Sequence, residues 1–230
     1  MDEEIKANIG RLKERIAVAA ARAGRDPHTI RLMAVTKTVT PERIRQALDA
    51  GISLLGENYV QEAKEKIAAV GGGASWHMIG RLQTNKAKYA VKMFDCVHSV
   101  DRLELAQELA RRAEAAGSRL NILIEVNVSG EKTKNGIAAD QAPELIRQVS
   151  LLPRLSVQGL MTMAPYADKP ECSRPYFKAL RRLRNDISRA GIDNIQMNEL
   201  SMGMTDDFEV AIEEGATIIR IGRAIFGERQ

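Results

Sequence analysis

The sequence predicts an α/β protein built as a (β/α)8 TIM barrel with one extra helix at its N-terminal end. Three observations carry this expectation. Strand-like and helix-like patterns alternate almost to the end of the chain in about eight units, and that alternation implies a parallel sheet with right-handed crossovers. Eight such units favour a closed barrel over an open, doubly wound sheet, and the dinucleotide fingerprint GxGxxG of the open alternative is missing. No long linker or low-complexity stretch interrupts residues 1–230, so a single domain is expected, with Gly71-Gly72-Gly73 as no more than a short loop.

The elements follow in order. Ile5, Ile9, Leu12, Ile16 and Ala19 recur at helical spacing, and Gly24 and Pro27 end that first helix. Strands are predicted at Ile30–Lys37, Ile52–Gly56, Trp76–Gly80, Cys96–Val100, Asn121–Val128, Val157–Met163, Asn198–Met202 and Thr217–Ile221. Helical patterns lie between them. Pro41–Ala50 starts with a proline suited to a first turn and stops before Gly51, and Tyr59–Val70, Arg102–Ala116 and Thr205–Glu214 are further examples. Lys178, Arg181, Arg182, Arg184 and Arg189 sit opposite Tyr176, Leu180, Leu183 and Ile187, as on a solvated helix face.

Composition narrows the class. The chain is 44% hydrophobic, enough for a sizeable core, and its formal net charge of +4 suits an anionic small molecule without requiring nucleic acid. Met1-Asp2-Glu3-Glu4 is too acidic to open a secretory signal, and no apolar run approaches the ~20 residues of a membrane span. Cys96 and Cys172 share no metal or redox spacing and read as reduced, buried thiols of a cytoplasmic protein.

In a barrel of this kind function gathers at the C-terminal ends of the strands. Lys37 closes the first apolar run, where a charge costs free energy unless a partner or a lowered pKa relieves it. Such a lysine is poised for Schiff-base chemistry. The other predicted strands end near Glu57-Asn58-Tyr59, His77, His98 with Asp101, and Glu125 with Asn127, the last pair on one face by period 2. Asp101 can equally cap the next helix, and His98 can equally be a satisfied core histidine. The last two strands read as a phosphate cradle. Ser201 offers a hydroxyl, Thr205 a helix cap, and Gly222 a close backbone approach. Arg220 shares a face with Gly222 and can point inward. An amine and a phosphate cradle together fit an aldehyde phosphate such as pyridoxal 5'-phosphate (PLP). A permanently charged guanidinium facing its pyridine nitrogen would leave the ring a poor electron sink.

Seven segments, in order across nearly the whole chain, resemble the pyridoxal-phosphate homeostasis protein family. They are MAVTK (33–37), GENYVQE (56–62), WHMIGRLQTNK (76–86), HSVD (98–101), GLMTM (159–163), LSMGMTDDFEVAI (200–212) and RIGRAIFG (220–227). The resemblance implies a fold-type III barrel related to the N-terminal domain of alanine racemase. It implies that Lys37 forms the internal aldimine with PLP and that Arg220 meets the pyridine nitrogen. Ser201, Gly222 and the Arg223 backbone would hold the phosphate, Asn58 and Met202 would flank the ring, and His77 would lie near the pocket. Arg223 stands where many relatives have Ser or Thr, and Thr205 replaces a frequent Ser.

The function so implied is binding, buffering or delivery of PLP within the cell. PLP-dependent apo-enzymes are possible recipients, and the chain is expected to be a monomer with no metal, no nucleic-acid or membrane partner and no catalytic residue. The sequence runs to Gln230 without the second domain that supplies alanine racemase with its second base, and a racemase needs an acid or base on each face of the carbanion. The alternatives are a PLP-dependent racemase or similar weak enzyme, using Tyr59, His77 or His98 as second base, and a Schiff-base aldolase acting on a phosphosugar.

Overall fold

In the computed structural model residues 2–131 and 133–227 are described, and the expected end of the chain at 228–230 lies outside them. The order of elements is α1 (Asp2–Arg22), β1 (Arg31–Val35), α2 (Pro41–Asp49), β2 (Leu54–Glu57), α3 (Val60–Val70), β3 (Ser75–Met78), α4 (Ala87–Met93), β4 (Cys96–Val100), α5 (Leu103–Ala115) and β5 (Leu120–Asn127). Then come β6 (Ile137–Ala138), α6 (Ala142–Ser150), β7 (Leu155–Met161), α7 (Arg174–Arg189), β8 (Ile195–Ser201), α8 (Phe208–Glu213), β9 (Ile218–Ile221) and α9 (Arg223–Phe226). All the strand pairs are parallel. They run β4-β3-β2-β1-β9-β8-β7-β5, and β4 pairs back with β5, so eight strands close into a barrel. The two-residue β6 is an addition at the end of β5.

Parity along the strands sorts residues between lumen and outer wall. Leu32, Ala34, Leu55, Trp76, Met78, Val97, Ile122, Ile124, Leu160, Leu200, Ile219 and Ile221 face outward and join the main core beneath the helices. Their alternates point into the barrel. Met33 is in register with Leu54 and with Arg220, His77 with Gly56 and Cys96, and Ser201 with Met161. The apolar part of the lumen falls into two small clusters, Met33–Leu54–Ile218 and Cys96–Leu123–Met161. The rest of the lumen is polar, with buried His77, His98, Glu125, Ser201 and Arg220. A charge inside an apolar run is therefore a lumen position on a strand whose other face builds the core.

The extra helix has a structural task. α8 is short and α9 is a single turn, so the wall over β9 and β1 is thin. α1 packs against α2, α8 and α9 with Ile5, Ile9, Leu12, Ile16 and Ala19 all buried, and each of the larger side chains contributes roughly 1.5–3 kcal/mol on burial. Asn8 Nδ2 donates to the Ile225 carbonyl at 2.9 Å, and Arg15 pairs with Glu209 at 2.8 Å while lying over the Phe208 ring.

The structure corrects several of these readings. Thr205 is not the cap of α8: the helix starts at Phe208 with Asp207 in that position, and the Asp207 carboxylate accepts from Met204 N at 2.7 Å within the turn that leads into the helix. Asp101 is likewise not the cap of α5, where Arg102 holds the position and pairs with it. Cys172 is exposed, because the short turn at Pro170–Ser173 turns it away from the core, whereas Cys96 is buried. On α7, Lys178, Arg182 and Arg189 are exposed as expected, but Arg181 reaches Glu214 at 3.0 Å and Arg184 the Met197 carbonyl at 3.2 Å. Among the described residues no helix is long and apolar enough to cross a membrane.

Candidate functional site

The site gathers at the C-terminal ends of β1, β2, β8 and β9, with β3 to β5 supplying its floor. Lys37 lies two residues past β1 and is half-buried. Asn58 follows β2 at the same depth, and Gly80 lets it sit there: a Cβ on Gly80 would come within 2.3 Å of the Asn58 carbonyl oxygen. Gly222, just past β9, abuts the end of β1, since a Cβ added to it would lie 3.4 Å from the Val35 carbonyl oxygen. The turn after β8 needs Gly203 in the left-handed region at φ 93°, which costs a residue with a Cβ far more than glycine. Arg223 is exposed and its guanidinium holds Asp206 at 2.6 Å, so it ties the start of α9 to the loop after β8.

Arg220 is the anchor of the floor. It is 4% exposed, and it donates from Nη1 to the Ser201 carbonyl at 2.7 Å and the Ser201 hydroxyl at 2.8 Å, and from Nη2 to the Thr162 carbonyl at 2.8 Å. Burial lowers its pKa to about 10, with Glu125 and Asp207 pulling it back up, so it stays charged at neutral pH. Guanidinium has five N–H groups. Nε–H and one Nη2 hydrogen are thus without a partner among the described residues.

From Arg220 the hydrogen bonds run in one direction. Guanidinium cannot accept, so the Ser201 oxygen receives its hydrogen and turns its own towards His98 Nδ1, 3.0 Å away. His98 then carries its proton on Nε2 and donates to His77 Nδ1 at 2.9 Å. Both imidazoles are neutral. Burial holds His77 down at about 4, with Arg31 adding to the effect, and burial followed by His77 and Arg220 holds His98 well below its usual value. His77 and His98 also converge with Cys96, their ligand atoms lying within 4.8 Å of one another. This group suits neutral packing and not a cation: burial pushes the Cys96 thiol up, Arg31 and Arg220 make the surroundings positive, and both His98 nitrogens are engaged.

The structure thus brings Lys37, Asn58, Gly222 and Arg220 to one rim, with Ser201 and His77 below them. Met202 is fully buried and its side chain belongs to the outer core, with Leu200. Sequence reasoning named Glu125 as a polar strand end, on one face with Asn127, without assigning it to the site. It missed Thr162, which enters through its carbonyl, a group that no residue type can announce. Beside the rim, a cavity of about 340 Å³ opens between the loops after β5, β7 and β8, lined by Asn135, Met163, Tyr166, Met204 and Asp206.

Glu125 and His77 respond to pH in opposite senses. Burial raises the Glu125 carboxyl from 4.5 to about 7, Asp101 adding to the rise while Arg220 and Arg81 oppose it. The native state holds that proton more tightly than the unfolded chain, so the stability it contributes is full below about pH 4.5 and gone above about pH 7. His77 takes its proton less readily when folded, so its contribution is present above pH 6.5 and lost as pH falls towards about 4. The two windows overlap and largely offset each other. Glu125→Gln is therefore expected to gain about 3 kcal/mol over the wild type between pH 4 and pH 8. Denaturant unfolding at both pH values checks this, and parallel pH profiles would contradict it.

The chain is similar to proteins of known family. Residues 7–230 match the family model described as "Alanine racemase, N-terminal domain". A pyridoxal phosphate homeostasis protein of Aquifex aeolicus is 47% identical over 223 residues, which span 96% of this chain and 97% of the relative. PipY of Synechococcus elongatus, solved with PLP bound, superposes with a TM-score of 0.81 at 34% identity, covering 94% of this chain and 99% of PipY. The alanine racemase of Corynebacterium glutamicum shares the fold at a TM-score of 0.76 and 14% identity, with 99% of this chain covering 62% of that one. Barrel, ordered motifs and end-to-end relatives agree, and the chain belongs to the alanine racemase N-terminal domain family, within its group of pyridoxal phosphate homeostasis proteins.

Proposed function

We propose that this protein binds PLP through Lys37 and acts in the intracellular supply of the cofactor. The observation that carries the reading is Arg220, a buried cation locked by three hydrogen bonds in the lumen and in register with β1, the strand that leads to Lys37. The donor set fits the group. A half-buried amine suits its aldehyde, and the Nε–H and Nη2 hydrogens of Arg220 suit an unprotonated pyridine nitrogen. Asn58 borders the ring. Gly222, the Arg223 backbone and the turn after Ser201 form a small-residue cradle for the phosphate, aided by the outward N–H groups that begin a helix. Ser201 acts here by orienting Arg220 as well as by lying below the cradle. Met202, whose N–H donates to the Ile218 carbonyl at 3.1 Å, braces the end of β8 beside the site, and His77 steadies the floor through His98. Bound PLP supplies a conjugated ring that can take up electrons from an attached amine. Arg220 restrains that capacity because it cannot give up its proton to the ring nitrogen.

Holding, rather than turnover, is the second part of the reading. His77 and His98 are neutral, buried and engaged with each other, and Tyr59 is 64% exposed, so none of the three expected second bases is poised over the rim. On this reading the chain acts as a cytoplasmic monomer and releases cofactor to PLP-dependent apo-enzymes.

One observation favours weak catalysis instead: Glu125, with a pKa of about 7, has the affinity for a proton that an acid–base group needs. Two measurements separate the readings. Protein mixed with PLP is expected to absorb in the visible, and borohydride followed by peptide mass analysis is expected to fix the cofactor on Lys37. L-Amino acids incubated with the loaded protein in deuterated water are expected to keep their α-hydrogen. Fixation elsewhere sinks the binding site, and rapid exchange sinks the non-catalytic role.

A further inference from the structure

Behind Lys37, on the outer face of the barrel wall, three charged side chains come together under α3. Lys66 is 6% exposed and Glu57 is fully buried, while Glu62 in the first turn of α3 is half-buried. An ammonium has three hydrogens to give. Lys66 gives them to the Thr36 carbonyl, to Glu57 Oε1 at 2.8 Å and to Glu62 Oε1 at 2.6 Å. Glu57 Oε1 also accepts from the Thr36 hydroxyl at 2.5 Å, and Glu62 Oε1 from the Thr38 N–H at 2.5 Å. The carbonyl before Lys37 and the N–H after it therefore end on one Lys66–Glu62 pair. Thr36 N is fixed as well, donating to the Gly56 carbonyl at 3.0 Å.

Two features mark this network as more than packing. Thr38 has φ 64°, and a β-branched residue in the left-handed region persists only where its surroundings hold it. Glu57 Oε2 is buried with no hydrogen-bond partner among the described residues. A charged group arranged in this way is commonly less stabilising than apolar side chains of the same volume. The strain and the incomplete pairing both lie within one residue of the positions that flank the site, Lys37 and Asn58.

We propose that Lys66, Glu62 and Glu57 form a positioning clamp that fixes the backbone on both sides of Lys37, and so sets the direction in which its amine meets the cofactor aldehyde. The clamp rests on the reading of Lys37 as the cofactor lysine. The three are positioning residues: they act through Thr36 and Thr38 and lie on the far side of the wall from the lumen.

Glu62 is the point to test, because its side chain is 26% exposed and alanine is well tolerated in a helix. Glu62→Ala removes the acceptor of Thr38 N and a partner of Lys66, whereas Glu62→Gln keeps an acceptor for Thr38. Cofactor affinity and attachment rate would be followed by absorbance, and the attachment site by borohydride fixation and peptide mass. Glu62→Ala is expected to weaken binding about tenfold and slow attachment, the scale of losing a hydrogen bond to a charged group. Glu62→Gln is expected to recover most of that loss. Wild-type affinity and rate in Glu62→Ala overturn the clamp, and so does an equal loss in both variants that tracks a fall in unfolding temperature. Absence of fixed cofactor on Lys37 in the wild type is a separate result: it overturns the reading beneath the clamp, and the clamp with it.

Discussion

Lys37→Ala is expected to abolish covalent cofactor completely. With PLP and borohydride the variant should show no mass increase on the peptide that spans residue 37, while the wild type is labelled there. Residual, non-covalent binding through the phosphate cradle should be weaker by at least about tenfold, since one covalent attachment and its orientation are lost. Stability should barely change, because the side chain is half-buried and its truncation opens no core cavity. This separates a chemical role from a structural one. A variant that folds like the wild type and stays as yellow would show that another lysine carries the aldehyde, with Lys134, beside the cavity at the rim, the next to examine.

Arg220→Ala is expected to damage both fold and site. Truncation takes the Arg220 donor from the Thr162 carbonyl and leaves the Ser201 carbonyl with the Thr162 N–H alone, and it removes the counter-charge that Glu125 feels. Leaving a buried acceptor without its charged donor costs about 1–3 kcal/mol for each group so exposed. The Ser201 hydroxyl also loses the donor that sets its direction, so the order of protons through His98 and His77 is released. The measurable results are a large drop in denaturant midpoint and near-complete loss of cofactor binding. Arg220→Lys tests the geometry: an ammonium keeps the charge but cannot bridge Ser201 and Thr162 with a planar fork, so it should recover little binding. Full recovery by lysine would mean that charge alone matters.

Much of this architecture was legible in the residues because a buried parallel barrel imposes two simple regularities. Strand and helix alternate, and every second strand residue faces the lumen. Lys37, Gly56 and Asn58, His77 and His98, Glu125, and Arg220 with Gly222 all obey the second rule, so a cation within Ile30–Lys37 or Thr217–Ile221 already pointed inward. The irregular pieces obey neither rule. The two-residue pairing of Ile137–Ala138 is too short to have a period. β8 begins at Ile195 and not at Asn198, because polar Gln196 and Asn198 and the left-handed Asn194 and Met197 blur its first half. The start of α8 depended on which of several adjacent polar side chains would cap the turn, and Asp207 prevailed over Thr205. The Lys66–Glu57–Glu62 group was hidden because it joins a strand end to a helix face. Its one sequence trace is the four-residue step from Glu62 to Lys66, which many exposed helices share.

The placement of α1 also governs how this chain reaches its native state. The Asn8–Ile225 bond joins groups 217 positions apart, and β1 finds one of its two neighbours only in β9. Such distant pairings are entropically slow to form. During synthesis the early strands must wait, with one edge and the apolar stripe of α1 exposed, until the last strand emerges from the ribosome.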